Sequence, residues 1–155
     1  MLQVVNMNRN PLGKEASETY LNEILKKQER KQHSFAHSLK KALSSGEKAL
    51  ENFYFLLKED EMIGCCGMVI DESAMDEQEK PWITSLYVKE EHRGNNYGQL
   101  LLNHVVHKAK LLGYESAYLE PGDTGFAPCK NWVKVNGKKN LVSGPLYYKN
   151  LEDQR

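Results

Sequence analysis

The stretch EEHRGNNYGQLLLNHVVHKAKLLGY, residues 90–114, sets two glycines, two asparagines and an arginine directly before an amphipathic run. Glycine and asparagine tolerate positive φ, so the turn Arg93, Gly94, Asn95, Asn96, Tyr97, Gly98 can curl its N–H groups inward. Those donors then stand at a helix N-terminus, where unpaired N–H groups and the helix dipole both favour an anion. Arg93 adds a planar fork of donors suited to phosphate oxygens. In physical terms the turn is a pyrophosphate cradle.

Working outward, residues 99–112 read as a helix. Leu101, Leu102, Val105, Ala109 and Leu112 form one stripe, and Gly113 stands where a left-handed C-cap is wanted. SAYLE (116–120) follows as a strand after a short link, and PWITSLYV (81–88) precedes the turn as another. A strand, a helix and a strand within about 35 residues make a right-handed crossover between parallel strands. Before them, residues 53–57 and 62–70 are apolar, β-prone runs around the polar KEDE, an antiparallel hairpin.

The chain opens with an extended piece at 2–7, ended by the turn-forming NRNPLG. Residues 14–43 are helical in pattern, with Tyr20, Leu21, Ile24 and Leu25 on one stripe and Phe35, Leu39 and Leu43 on a second. A break near Lys31 predicts two helices there. Residues 71–80 form an acid-rich loop, and NWVKV and LYYKNL predict two terminal strands around NGKKN. The fold class is α/β, a mixed sheet with helices on its faces, in one domain spanning 1–155.

Composition narrows the function. Among 155 residues, 21 Lys+Arg balance 21 Asp+Glu, which argues against nucleic acid as a partner. No run reaches the ~18–20 apolar residues of a membrane span, and residues 1–15 lack the pattern of a signal peptide. Cys65, Cys66 and Cys129 make an odd count with one adjacent pair, a poor disulfide framework. Reduced thiols and a cytoplasmic location are the expectation. His33/His37 and His104/His107 lack the neighbours that would complete a zinc site, so no metal is expected.

Two nucleotide motifs compete for the glycine turn. A P-loop fails because no Gly-Lys-Ser/Thr follows the glycines. A dinucleotide fingerprint has its strand, helix and downstream acid (Glu120), but the spacing here is G-x-x-x-G and an arginine leads it.

The whole segment LYVKEEHRGNNYGQLLLNHVVHKAKLLGYESAYLE resembles the central motif of the GCN5-related N-acetyltransferase (GNAT) superfamily. Arg93, Asn96 and Gly98 occupy the three fixed positions of the family's R/Q-x-x-G-x-G/A turn, with asparagine standing for the usual glycine. The close match covers residues 81–120, and the preceding strand, two helices and hairpin follow the family's N-terminal half. The resemblance implies a GNAT fold, a mixed and mostly antiparallel sheet splayed at its central parallel strands.

The resemblance also implies acetyl-CoA as co-substrate, lying in the splay. Its pyrophosphate would sit on residues 93–98 and its pantetheine arm on main-chain groups of Leu86, Tyr87 and Val88. The implied reaction is direct attack on the thioester by a primary amine of a small molecule or peptide, which needs a base and an acid. The family's usual tyrosine for the departing thiolate is missing from PGDTGFAPCKNW, which offers Phe126 and Ala127, and a family asparagine there gives way to Asp123 or Thr124. Glu120 as base, with Cys129, Tyr147 or Tyr148 as proton donor, are the substitutes. The acids of the 71–79 loop would draw a cationic acceptor such as a polyamine, aminoglycoside or lysine side chain. A GNAT module that binds coenzyme A or a partner without catalysis is the alternative, as monomer or homodimer.

Overall fold

A computed structural model describes residues 1–29, 52–71, 80–119, 132–134 and 147–151. Among them are strands β1 (Leu2–Asn6), β2 (Phe53–Lys58), β3 (Glu61–Asp71), β4 (Lys80–Val88), β5 (Ser116–Leu119), β6 (Val133–Lys134) and β7 (Tyr147–Asn150). Helix α1 spans Lys14–Glu29 and α2 spans Tyr97–Leu111, with 3-10 turns at Met7–Arg9 and Glu90–His92. The strands form one sheet in the order β1-β2-β3-β4-β5-β7-β6. All neighbours run antiparallel except β4 and β5.

Alternation along β2 shows why helices flank both faces. Phe53, Phe55 and Leu57 enter one cluster with Tyr20, Leu21 and Ile24 of α1. Tyr54 and Leu56, pointing the other way, enter a second cluster with Leu101, Leu102, Val105, Val106 and Ala109 of α2. Cys65 and Cys66 divide between the same two clusters, so the adjacent thiols lie on opposite faces. Burial pushes both thiols up, which keeps them protonated and inert as nucleophiles.

Local chemistry sets the turns. The β2–β3 hairpin turns through Glu59 (φ 50°) and Asp60 (φ 69°), and two left-handed residues match the primed turn that right-twisted strands require. Helix α2 starts at Tyr97, two residues before the start at residue 99 that the pattern predicts, and ends on Gly113 at φ 93°. There the Gly113 N–H donates to Lys110 C=O at 2.9 Å and the Tyr114 N–H to Ala109 C=O at 3.1 Å, the paired bonds of a Schellman cap. Gly67 faces Phe53 across β2–β3, and a Cβ on it would lie 2.5 Å from the phenyl ring. Glycine is therefore a packing requirement at that position.

The helix expected beyond Lys31, the acid loop at 72–79, His33 and His37 lie outside the described residues.

Candidate active site

Strand β4 carries an irregularity in its pairing with β3. Cys65 pairs with Tyr87 and Gly67 with Thr84, so two steps on β3 oppose three on β4. The extra residue is a β-bulge, which bends its strand and sharpens the twist. Side chains record the same slip: Ile83, Leu86 and Val88 all enter the cluster beneath α2, and the spacing of three from Ile83 to Leu86 breaks the period of two. Among the described residues the parallel β4–β5 register comprises Trp82↔Tyr118 and Ile83↔Leu119 only. Beyond it β4 continues to Val88. Residues 84–88 of β4 thus lie beyond the described β4–β5 register.

The main chain at the end of β4 has a defined direction. Lys89 donates its N–H to Ile63 C=O at 2.8 Å, so Lys89 and Tyr87 aim their backbone groups at β3. Val88, between them, aims its N–H and C=O away from β3. Its C=O accepts the Arg93 Nε at 2.8 Å, and the Arg93 guanidinium lies 5.4 Å from the Tyr87 ring centroid. Arg93 therefore ties the glycine turn to the end of β4, with its terminal amino groups left for a further acceptor.

The turn itself curls as its composition requires. Gly94 has φ 89°, with nothing within 4 Å of where a Cβ would stand. Asn96 is left-handed (φ 63°, ψ 20°), caps α2 without a side-chain bond, and accepts the Leu100 N–H on its C=O at 3.1 Å. Asn95 Nδ2 donates to His92 C=O at 3.0 Å, which closes the turn from outside. Residues 93–96 are exposed, and Tyr97 and Gly98 are half-buried. An exposed left-handed turn thus delivers the first N–H groups of α2 to solvent with no side chain capping them, an anion-binding arrangement. Asn96→Val would force a β-branched residue into left-handed backbone; a loss of about 1–3 kcal/mol is expected in denaturant unfolding, with Asn96→Gly neutral by the same measure.

Beside the turn, Lys89 Nζ and Glu61 pair at 2.8 Å, which holds the Glu61 carboxyl below its usual range. Glu61, Glu91 and His92 bring their ligand atoms within 4.8 Å of one another on the surface. The lysine already serves one of these carboxylates.

The proposed catalytic residues divide sharply. Glu120 and Cys129 lie outside the described residues. Tyr147 pairs with Leu119 at the end of the parallel register and packs against the cluster on the α2 face. Tyr148 points to the opposite face, where its ring stacks beside Tyr118 at 5.5 Å and Tyr118 beside Trp82 at 5.4 Å. The two adjacent tyrosines, equivalent in sequence, are therefore not equivalent in space. Two features had gone unread in the sequence, the bulge and the Arg93 tether. The first had a signal, the broken alternation of Ile83, Leu86 and Val88. The second had none, since it depends on how α2 docks.

The chain belongs to the Acetyltransferase (GNAT) family, whose model matches residues 15–130. Among solved structures it is similar to a GNAT-family acetyltransferase from Staphylococcus aureus Mu50, with a TM-score of 0.64 and 14% identity over 97% of this chain and 99% of that one. It is also similar to N-acetylglutamate synthase from Neisseria gonorrhoeae, solved with coenzyme A and N-acetyl-glutamate, at a TM-score of 0.67 and 14% identity. That likeness spans 97% of this chain and 35% of the synthase. A third is an acetyltransferase from Clostridium acetobutylicum solved with acetyl-CoA, at 0.55 and 16% identity over 88% and 95% of the two chains. Identities this low carry the fold alone. No curated protein matches the chain. Among the described residues no helix is long and apolar enough to cross a membrane.

Proposed function

We propose that the protein transfers an acetyl group from acetyl-CoA to a primary amine. One observation carries the reading: the turn after β4 presents left-handed backbone and Arg93 to an anion at the N-terminus of α2. Residues 93–98 would hold the pyrophosphate, and the main chain of residues 86–88 the pantetheine amides. Bound acetyl-CoA would supply the activated thioester. The Val88 N–H, aimed away from β3, is the donor placed to polarise a carbonyl there, a contribution typically worth about 3 kcal/mol.

The acceptor nitrogen must lose a proton to be nucleophilic, and the thiolate must gain one on leaving. Glu120 is the base we favour, as the residue that directly follows β5. For the thiolate, Tyr147 is favoured over Tyr148 because it pairs with Leu119, where the described β4–β5 register ends, and lies on the α2 face. Cys129 remains the alternative donor. Tyr147→Phe is expected to lower kcat on the order of 10²-fold with little change in the KM for acetyl-CoA. Steady-state rates on the amine that turns over fastest would check it.

The defining experiment is a screen of amines with acetyl-CoA, read as release of free thiol. Turnover on a polyamine, aminosugar or lysine peptide, with the acetylated amine found by mass spectrometry, is the expected result. No thiol release with any amine, while acetyl-CoA still raises the melting temperature, would favour a second reading. That reading is a coenzyme-A-binding module, and the absence of a tyrosine from residues 121–132 is the observation on its side.

A further inference from the structure

One row of side chains crosses the sheet on the α1 face and belongs neither to the core nor to the anion-binding turn. The registers align Val69 with Trp82, Trp82 with Tyr118, Tyr118 with Tyr148 and Tyr148 with Val133. Directly opposed residues of neighbouring strands share a face, so the five stand side by side across β3, β4, β5, β7 and β6. The Trp82 and Tyr118 rings lie 5.4 Å apart, and those of Tyr118 and Tyr148 5.5 Å apart. Val69 packs beside the α1 cluster, whereas among the described residues the other four enter neither core cluster. All five keep some solvent exposure, and Val133 at the far end is 65% exposed.

A continuous apolar row left partly in water marks a surface that receives something. Its place points to a ligand. The Trp82–Tyr118 pair adjoins Ile83–Leu119 at the C-terminal ends of the parallel strands, where open α/β sheets hold their ligands. Glu120, the base favoured above, follows Tyr118 by two residues. From there the row runs out to β6, the edge of the sheet, a distance of about 10 Å at the usual strand spacing.

Three features select the occupant. No member of the row is charged, so the part of a ligand that lies along it is apolar. Neighbouring rings tilt by 36° and 58°, which leaves no common plane for a rigid cyclic ligand, while a methylene chain can conform to each ring in turn. An amino sugar would turn hydroxyls against valine and ring carbons, where they lose water without gaining partners. The third feature is charge. Residues 72–79 join β3 to β4 and hold four acids with no lysine or arginine, so they draw a cation toward the Val69–Trp82 end, and aromatic rings favour an ammonium over other heads.

We propose that this row binds the stem of the acceptor, a primary amine on an unbranched methylene chain such as a polyamine or a lysine side chain. The inference rests on the transfer reaction proposed above and narrows its acceptor. Lysine stems commonly lie along apolar surface with the nitrogen kept free, the posture an amine needs in order to react.

Fluorescence of Trp82 tests the proposal without requiring turnover. The chain has two tryptophans, so Trp132→Phe leaves Trp82 as the sole reporter. Titration with n-butylamine, n-hexylamine and n-octylamine is expected to shift its emission, with Kd falling up to about 4-fold per added methylene. Glucosamine should give no shift. Val133→Ser, at an exposed position, should weaken n-octylamine and leave n-butylamine unchanged. In the thiol-release assay KM should fall along the same series, with the KM for acetyl-CoA constant. Either spermidine or a lysine peptide as the better substrate supports the proposal and names the source of the stem. A Kd indifferent to chain length overturns it, as does glucosamine binding as well as n-hexylamine, or n-octylamine binding unaltered in Val133→Ser and, by calorimetry, in Trp82→Leu. Length-dependent binding with no amine acetylated would keep the stem site and remove the transfer reading. Preferential acetylation of glucosamine would do the reverse.

Discussion

Replacing Arg93 by alanine is expected to raise the Kd for acetyl-CoA on the order of 10- to 100-fold. The estimate comes from losing charge-assisted hydrogen bonds to phosphate oxygens, worth about 1.5–3 kcal/mol. Arg93 also donates to the Val88 C=O and covers the Tyr87 ring, so its loss should loosen the end of β4. The side chain is exposed, and the ligand-free chain should therefore melt only a few degrees lower. Titration calorimetry, with differential scanning of the free variant, separates the two effects. Arg93→Lys keeps the charge but not the fork, and should fall between wild type and alanine. An unchanged Kd in the alanine variant would remove the cradle from the proposed mechanism.

Phe53→Ala should cost about 3–5 kcal/mol of stability, the largest effect expected of any single truncation here. The ring is wholly buried on the α1 face of β2 and fills the space that Gly67 leaves open on β3. Losing it leaves a cavity that a neighbouring glycine cannot close. For a chain of this length the melting temperature should fall on the order of 10 °C, measured by calorimetry. Its place on the α1 face of the sheet makes this a comparison as well. Phe53 belongs to the cluster with Tyr20 and Tyr87 rather than to the α2 cluster, so acetyl-CoA affinity per folded molecule should change far less than in Arg93→Ala. A drop of less than a degree would mean that the α1 face is not packed as described.

Much of the fold was legible because it is encoded locally. The hairpin, the α2 stripe and the Gly113 cap each follow from side-chain period and from which residues accept positive φ. The cradle was legible for the same reason: Gly94 and Asn96 are left-handed in the structure because few other residue types adopt that backbone cheaply. Even the opposite facing of Cys65 and Cys66 follows from the pleat alone.

The structure decided the features that need two distant segments to meet. Sequence placed the strand at 81–88 but not the bulge within it, since a bulge is defined only by the register against β3. It could not distinguish Tyr147 from Tyr148, because which face of β7 looks toward α2 depends on the pairing with β5. Nor could it join Arg93 to Val88, five residues away along the chain, because only a closed turn brings the guanidinium back to that carbonyl. Periodicity and φ preference are properties of short pieces of chain, so the sequence by itself determined the elements, the caps and the left-handed turn before α2. Register, facing and the bulge in β4 arise only when the sheet assembles, and those belong to the tertiary structure.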